Sequence, residues 1–227
     1  MIISFDNVTK LKPIPGTHKK KHVLLNASFI FNEGDRVSLL GVKSAGVPTV
    51  LKLISGSELP TTGKIIRRGS FSPPIGDTGS FHGDLTGEEN IRFICKLYGQ
   101  QPKTIIAFIK DFLEADKALK LPTKTYQDGF GKNIAFALSI AMRFDTYLVI
   151  NPIPTGNSPE FQKKCMDAFT EKTKDASLIL TSNSVKLVRN YTDRAMVIHK
   201  GAAILFDDIE AGLLKYRRFH RNNTGTI

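Results

Sequence analysis

The stretch Arg36 to Gly56, RVSLLGVKSAGVPTVLKLISG, leaves this chain little choice of fold. Val37, Leu39 and Leu40 make an apolar run of strand length, and Val50, Leu51, Leu53 and Ile54 recur at helical spacing. Between them a loop opens at Gly41 and closes at Gly46. Strand, glycine loop and helix in that order are the scaffold of a phosphate-binding P-loop, G-x-x-x-x-G-K-[ST]. Gly41 and Gly46 hold the two glycine positions, but Val47 and Pro48 follow them. A lysine at the first of these would bring charge to the β- and γ-phosphates, and a hydroxyl at the second would ligate Mg²⁺. Val47 and Pro48 supply neither. Proline also removes an N–H from the anion nest at the helix start, although its fixed φ suits the first helical turn. Lys43, Ser44, Ala45 and Thr49 complete the loop, and Lys43, on its early arm, is a candidate substitute cation. The scaffold of a nucleotide site is kept while its chemistry is removed. The expectation is no catalytic residue, no metal and no cofactor, with ATP and Mg²⁺ as the candidates to be tested.

A chain of 227 residues that is 41% hydrophobic can bury one core, so a single domain over 1–227 is expected. No apolar run reaches the length of a membrane span and no signal peptide opens the sequence, which implies a cytosolic protein. Cys95 and Cys165 each fall on an expected helix and read as buried thiols rather than a disulfide or metal pair. No metal-ligand cluster is visible. The net charge of +11 favours anionic partners: nucleic acid, phospholipid headgroups or an acidic protein. The basic residues concentrate in Thr17–His22 and Lys215–Arg221, and two readings stand for both: a solvated loop with a frayed tail, or a contact with a membrane surface or nucleic acid.

Read in order, residues 1–10 alternate partially and predict an edge strand, and 12–21, with two prolines, a glycine and a basic run, predict a loop. His22–Phe31 is a second strand, and Lys64–Arg68 closes an antiparallel lobe. Thr86 and Glu89 form a capping box opening a helix to about Tyr98. Pro102 starts another, and a third runs from Lys132 to Arg143 with a strongly apolar face. Residues 85–143 thus read as an inserted helical subdomain, in which Ile91, Phe93, Ile94 and Leu97 are expected in the core. Strands and helices alternate thereafter: Tyr147–Ile150, a helix capped by Ser158, Ser177–Thr181, Val185–Tyr191, Ala195–His199, Ala202–Phe206 and a closing helix from Asp208 to Arg218. Alternation of this kind predicts a largely parallel sheet with helices on both faces.

That order resembles the ATP-binding domain of an ABC transporter, and more narrowly the ATPase subunit of exporters of capsular polysaccharide and O-antigen. The likeness spans essentially the whole chain. Its carriers are Ile3–Lys10, the segment Gly79–Asn90 with its Leu-Thr-Gly-x-x-Asn, Ala135–Ser139 and Phe206–Asp208. The resemblance implies an α/β P-loop NTPase-like ABC ATPase fold with an antiparallel β lobe, a mostly parallel core sheet and a helical subdomain. It also implies two subunits arranged head to tail around ATP, one giving the P-loop, an acidic Walker B pair and a switch histidine, the other the signature segment and the D-loop. Position by position, this chain departs from that pattern. Ile150 and Asn151 stand for the Walker B acids, Asn157 for the D-loop aspartate and Asn183 for the switch histidine. Gln127 stands for the signature serine, with Asp128 beside it, where its charge would repel phosphate. His22 falls at the adenine-stacking aromatic and His82 at the Q-loop glutamine.

Three functions stay open: a pseudo-ATPase that acts by interaction or regulation in polysaccharide export, a weak nucleotide-binding subunit of such an exporter, or a basic anion-binding protein for nucleic acid or lipid headgroups. Because both the P-loop and the signature are altered, this subunit would weaken both sites of a head-to-tail pair. The partners implied are a membrane-embedded permease, another ABC ATPase subunit or a second copy of this chain, with an anionic membrane surface as a further candidate. The location implied is cytoplasmic, peripheral on the inner face of the inner membrane. In the family the permease meets the cleft near Ser80 to Asp84.

Overall fold

The computed structural model describes residues 1–75, 81–127, 129–150 and 158–224, with backbone only for 222–224. Along the chain these form β1 (Ile3–Pro13), β2 (Lys20–Phe31), β3 (Arg36–Gly41), α1 (Val47–Ser55) and β4 (Thr62–Arg67). Three helices follow: α2 (Gly87–Leu97), α3 (Pro102–Leu113) and α4 (Phe130–Ala141). The remainder is β5 (Thr146–Ile150), α5 (Pro159–Thr173), β6 (Ser177–Thr181), α6 (Val185–Tyr191), β7 (Arg194–His199), β8 (Ala202–Phe206) and α7 (Ile209–Thr224). The chain divides into two compact units. One comprises Met1–Phe71, Asp145–Val149 and Asp175–Ile227, the other Ser72–Phe144 and Ile150–Lys174.

The first unit holds two sheets. The smaller has the order β2-β1-β4, all antiparallel. β1 is therefore the middle strand, not the edge strand its partial alternation suggests. It is bulged where Asn7 takes φ 48°, and the backbone of Asn7 there lies so close to Gly63 that a Cβ on Gly63 has no room. Ile3, Phe5 and Val8 from β1 and Val23, Leu24 and Phe31 from β2 are buried, and Phe5 stacks on Phe29 at 4.3 Å. The hairpin joining these strands is also shorter than expected, because both run on through the proline- and lysine-rich segment to Pro13 and from Lys20.

The larger sheet has the order β5-β6-β3-β7-β8. β3 sits at its centre, parallel to β6 and β7, and β8 closes the edge antiparallel to β7. Central parallel strands are covered on both faces, which explains their unbroken apolar runs. The one buried hydroxyl of β3, on Ser38, is matched to Thr192 Oγ1 at 2.8 Å, and Thr192 in turn donates to the Val188 carbonyl. α7 packs on β7 through Leu213 and Gly212, where any side chain at 212 would collide with Ala195. The basic stretch Lys215–Arg221 is thus helix and not a frayed tail. Tyr216 and Phe219 face the core, Phe219 stacks on His199 at 3.9 Å, and Arg217, Arg218 and Arg221 are left outward.

The second unit is helical. α2 opens with the expected capping box: Thr86 Oγ1 accepts from the Glu89 N–H at 3.2 Å, and Glu89 accepts from the Thr86 N–H at 2.8 Å. α5 opens on Ser158, which accepts from the Phe161 N–H at 3.2 Å. Ile91, Ile94, Ile106, Ile109, Phe112, Ile134 and Phe136 form the core. Cys95 and Cys165 are buried free thiols, and burial pushes the Cys165 thiol up to about 11. Phe93 and Leu97 are not in this core. They are 53% and 66% exposed, because the buried stripe of α2 runs through Gly87, Asn90, Ile91, Ile94 and Cys95 and turns these two outward. Among the described residues no helix is long and apolar enough to cross a membrane.

Candidate functional site

β3 delivers the chain to the centre of the sheet and ends at Gly41, at the same edge as the C-terminal end of β6. Open α/β sheets bind ligands at such an edge. The chain then turns back on itself. The Ala45 N–H donates to the Val42 carbonyl at 2.8 Å, Ser44 takes φ 75° and Gly46 takes φ 98°. α1 begins at Val47, with the Gly46 carbonyl accepting from the N–H groups of Thr49 and Val50.

Both glycines are required by contact. A Cβ on Gly41 would lie 2.7 Å from Val47 Cγ2 and 3.2 Å from the Ile198 carbonyl, and one on Gly46 would lie 2.5 Å from Val23 Cγ1. Val47 is 8% exposed and turned onto Gly41, so the position where a lysine would extend to phosphate holds a packed apolar side chain. Pro48 is exposed and Thr49 is buried. No acidic residue lies in the first turn of α1 and no side chain caps it. The far end of the helix is held by Arg67, which donates from Nε to the Ile54 carbonyl at 2.8 Å and from Nη2 to the Leu53 carbonyl. Burial holds this guanidinium below its ordinary value.

The fit of Mg-ATP can be judged from these groups. Glycine backbone at the start of a helix can face an anion. The hydroxyl that would ligate a metal is missing from the same turn, since position 48 is proline. Among the described residues no group of three His, Cys, Asp or Glu is placed to hold a metal ion.

The other expected positions are found as follows. Lys43 and Ser44 are exposed on the loop. Asn183 is exposed in the turn between β6 and α6, at the sheet edge that also carries the loop. His22 lies on β2 with its Cβ against Gly201 in the β7–β8 turn. Ile150 ends β5, and its N–H donates to the Ile75 carbonyl at 2.9 Å. Asp128, Asn151 and Asn157 lie outside the described residues.

His82 and Gln127 belong to the helical unit. Gln127 is exposed and lines a shallow cavity of about 270 Å³ with Phe81, Tyr126, Gly129 and Lys132. Burial pushes the Tyr126 phenol up, and its ring meets Phe130 edge-on at 5.0 Å. His82 is exposed, but its backbone is fixed by Asn90, which is 1% exposed. Asn90 Oδ1 accepts from the His82 N–H at 2.7 Å, and Nδ2 donates to the carbonyls of His82, Leu85 and Thr86. Asn90 closes the Leu-Thr-Gly-x-x-Asn segment, and the structure gives that spacing a purpose: a residue on the first turns of α2 reaches back to hold the loop before it.

Two residues escape a reading of motifs. Asn90 is legible only as part of a familiar segment. Lys21, in the basic run before β2, donates to the Ser44 carbonyl at 3.0 Å and so touches the phosphate loop from outside it.

No family model matches the chain. Individual relatives do. It is 42% identical over 188 residues to the capsule polysaccharide export ATP-binding protein CtrD of Neisseria meningitidis serogroup B, covering 83% of this chain and 87% of that one. It is 40% identical to the ATP-binding protein BexA of Haemophilus influenzae, covering 86% and 90%. With the polysialic acid transport ATP-binding protein KpsT of Escherichia coli it shares 33% identity, over 96% of this chain and 99% of the other. Among solved structures, an ATP-binding subunit of an ABC transporter superposes with a TM-score of 0.72 at 18% identity over 96% of this chain and 100% of that chain. A dimeric ATP-binding cassette bound to ADP and Pi also superposes at 0.72, over 90% and 98%. At that identity the likeness is one of fold.

Proposed function

Since this chain belongs to the ABC family of capsule polysaccharide export ATP-binding proteins, we propose that it serves such an exporter as a subunit that holds nucleotide weakly and does not turn it over. The observation that carries the second half is Val47. At the place of the phosphate-binding lysine, a buried valine packs onto Gly41, so no cation rises from the start of α1. Pro48 removes the metal's hydroxyl and one nest donor in the same turn. Asn151 and Asn183 stand where the family's acid and switch histidine act, and neither amide can take a proton from an attacking water.

Removing one group that stabilises developing charge costs about 2.7 to 4 kcal/mol of barrier, and several losses together leave little catalysis even allowing for non-additivity. The glycine-lined turn supports residual affinity for the phosphates. The partner is a membrane-embedded permease, which this chain meets from the cytoplasmic face of the inner membrane, with a second ATP-binding subunit completing the pair. Exposed Phe93 and Leu97 on α2 supply apolar contact area for the permease, close in sequence to the loop that Asn90 fixes. The contribution to export is then docking and assembly rather than hydrolysis.

Affinity purification of the tagged chain from its native membranes tests this reading. It predicts recovery of a polysaccharide permease and of a second ATP-binding subunit. Recovery of nucleic acid alone overturns it.

A further inference from the structure

The loop's own residues supply one cation, Lys43, on the arm that leaves β3. A second cation reaches the loop from another strand. Alternate residues of a strand share a face, and on β2 the two residues turned to the loop are Lys21 and Val23. Val23 covers Gly46, its Cγ1 lying 2.5 Å from where a Cβ would stand. Lys21 extends along the same face and donates from Nζ to the carbonyl of Ser44 at 3.0 Å. Ser44 holds φ 75°, in the left-handed region that side-chain-bearing residues adopt uncommonly. His22, on the opposite face, lies against Gly201 instead.

An ammonium has three N–H donors. One is used by Ser44, and the other two remain for an anion beside the turn whose glycine backbone opens α1. We propose that Lys21 is the working cation of this loop: it replaces, from strand β2, the charge that residue 47 does not carry, and binds the polyphosphate end of a nucleotide. The inference rests on the reading that the loop holds nucleotide. It goes beyond that reading by assigning the charge to a residue outside the motif and by removing the need for a metal. The ligand class is a nucleoside di- or triphosphate, bound through phosphate charge, without Mg²⁺.

The test is isothermal titration of ADP and AMP into the full chain in EDTA, at low and at high salt, for wild type, Lys21→Met, Lys21→Arg and Lys43→Met. Wild type is expected to bind ADP more tightly than AMP. Lys21→Met is expected to weaken ADP roughly five- to thirtyfold at low salt, as loss of one nearby charge implies, while changing AMP little. Lys21→Arg retains most of the affinity, and the Lys21→Met deficit shrinks at 1 M salt, where the Debye length falls to about 3 Å. A deficit equal at both salts marks Lys21 as a strut for Ser44 and overturns the proposal. So does an unchanged ADP affinity in Lys21→Met, or a larger loss in Lys43→Met. Should Lys21→Met fail to fold, Lys21→Arg and the salt dependence of wild type decide. Wild type that binds no ADP defeats the nucleotide-holding reading itself, whereas wild type that binds while Lys21→Met binds equally well defeats this inference alone.

Discussion

The side chain of Asn90 grips His82 at both ends of its backbone, accepting from its N–H at 2.7 Å and donating to its carbonyl at 3.1 Å. Two further bonds run from the same amide to Leu85 and Thr86. The His82 carbonyl has a second donor in the Thr123 hydroxyl at 2.9 Å, but the His82 N–H depends on Asn90. Asn90→Ala leaves the His82 N–H without its partner and removes three further bonds, although the carbonyls of His82, Leu85 and Thr86 each keep a backbone or Thr123 donor. It is expected to destabilise the chain by roughly 1–3 kcal/mol, read from the urea midpoint. A change below about 0.5 kcal/mol, within the range of an ordinary surface substitution, contradicts the assignment.

Arg67 closes the C-terminal end of α1 by donating to the carbonyls of Leu53 and Ile54. Cations and donors at a helix C-terminus satisfy groups that the helix cannot. Arg67→Ala is expected to cost about 1–3 kcal/mol. Arg67→Lys recovers part of that, because one ammonium cannot reproduce the fork of a guanidinium. Equal stability of the two variants contradicts this account.

Asp145 accepts from the Ser70 N–H at 2.6 Å and from the Ser70 hydroxyl at 2.8 Å, and these bonds, the backbone one first, hold its carboxyl below the usual range. A carboxyl depressed in the folded state adds stability that is complete above its unfolded value of about 3.9. That stability is lost as pH falls through the lower folded value. Thermal melts of Asp145→Asn should therefore lie below wild type at pH 7, with the gap closing as pH falls below the unfolded value of about 3.9. A gap that stays constant across that window contradicts the prediction.

Phe93 and Leu97 are outward-facing apolar residues one turn apart on α2. Exposed apolar pairs on a folded unit mark contact surfaces more often when they are contiguous. Phe93→Ser with Leu97→Ser should leave the melting temperature within a few degrees of wild type and abolish recovery of the permease. Loss of stability comparable to that of a core truncation, about 3–5 kcal/mol, would place them in the core after all.

Much of the fold was legible because its punctuation is local. Pro48 and Gly56 bracket α1 by their backbone preferences, while Thr86 with Glu89 opens α2 and Ser158 opens α5 by bonds made within three residues. What escaped depends on distant neighbours. β1 reads as an edge strand because alternation records which side chains are buried, not how many strands flank them. α2 carries apolar residues on two faces, and periodicity alone cannot say which face the core takes: Ile91 and Ile94 went in, Phe93 and Leu97 out. The basic tail reads as frayed until Phe219 is seen stacked on His199 of β7. At the candidate site the phosphate loop was plain from its glycines, while Lys21 lies twenty residues earlier than Gly41 and joins the loop only once β2 is folded beside it.

The central claim is that a nucleotide-binding framework persists here without the groups that burn its fuel. The most direct measurement is phosphate release from Mg-ATP by the chain reconstituted with its permease, against a protein-free blank. The account predicts no release above the blank, with ADP binding still detectable by titration. Turnover of about 1 s⁻¹, the lower end of ordinary enzyme rates, would contradict it.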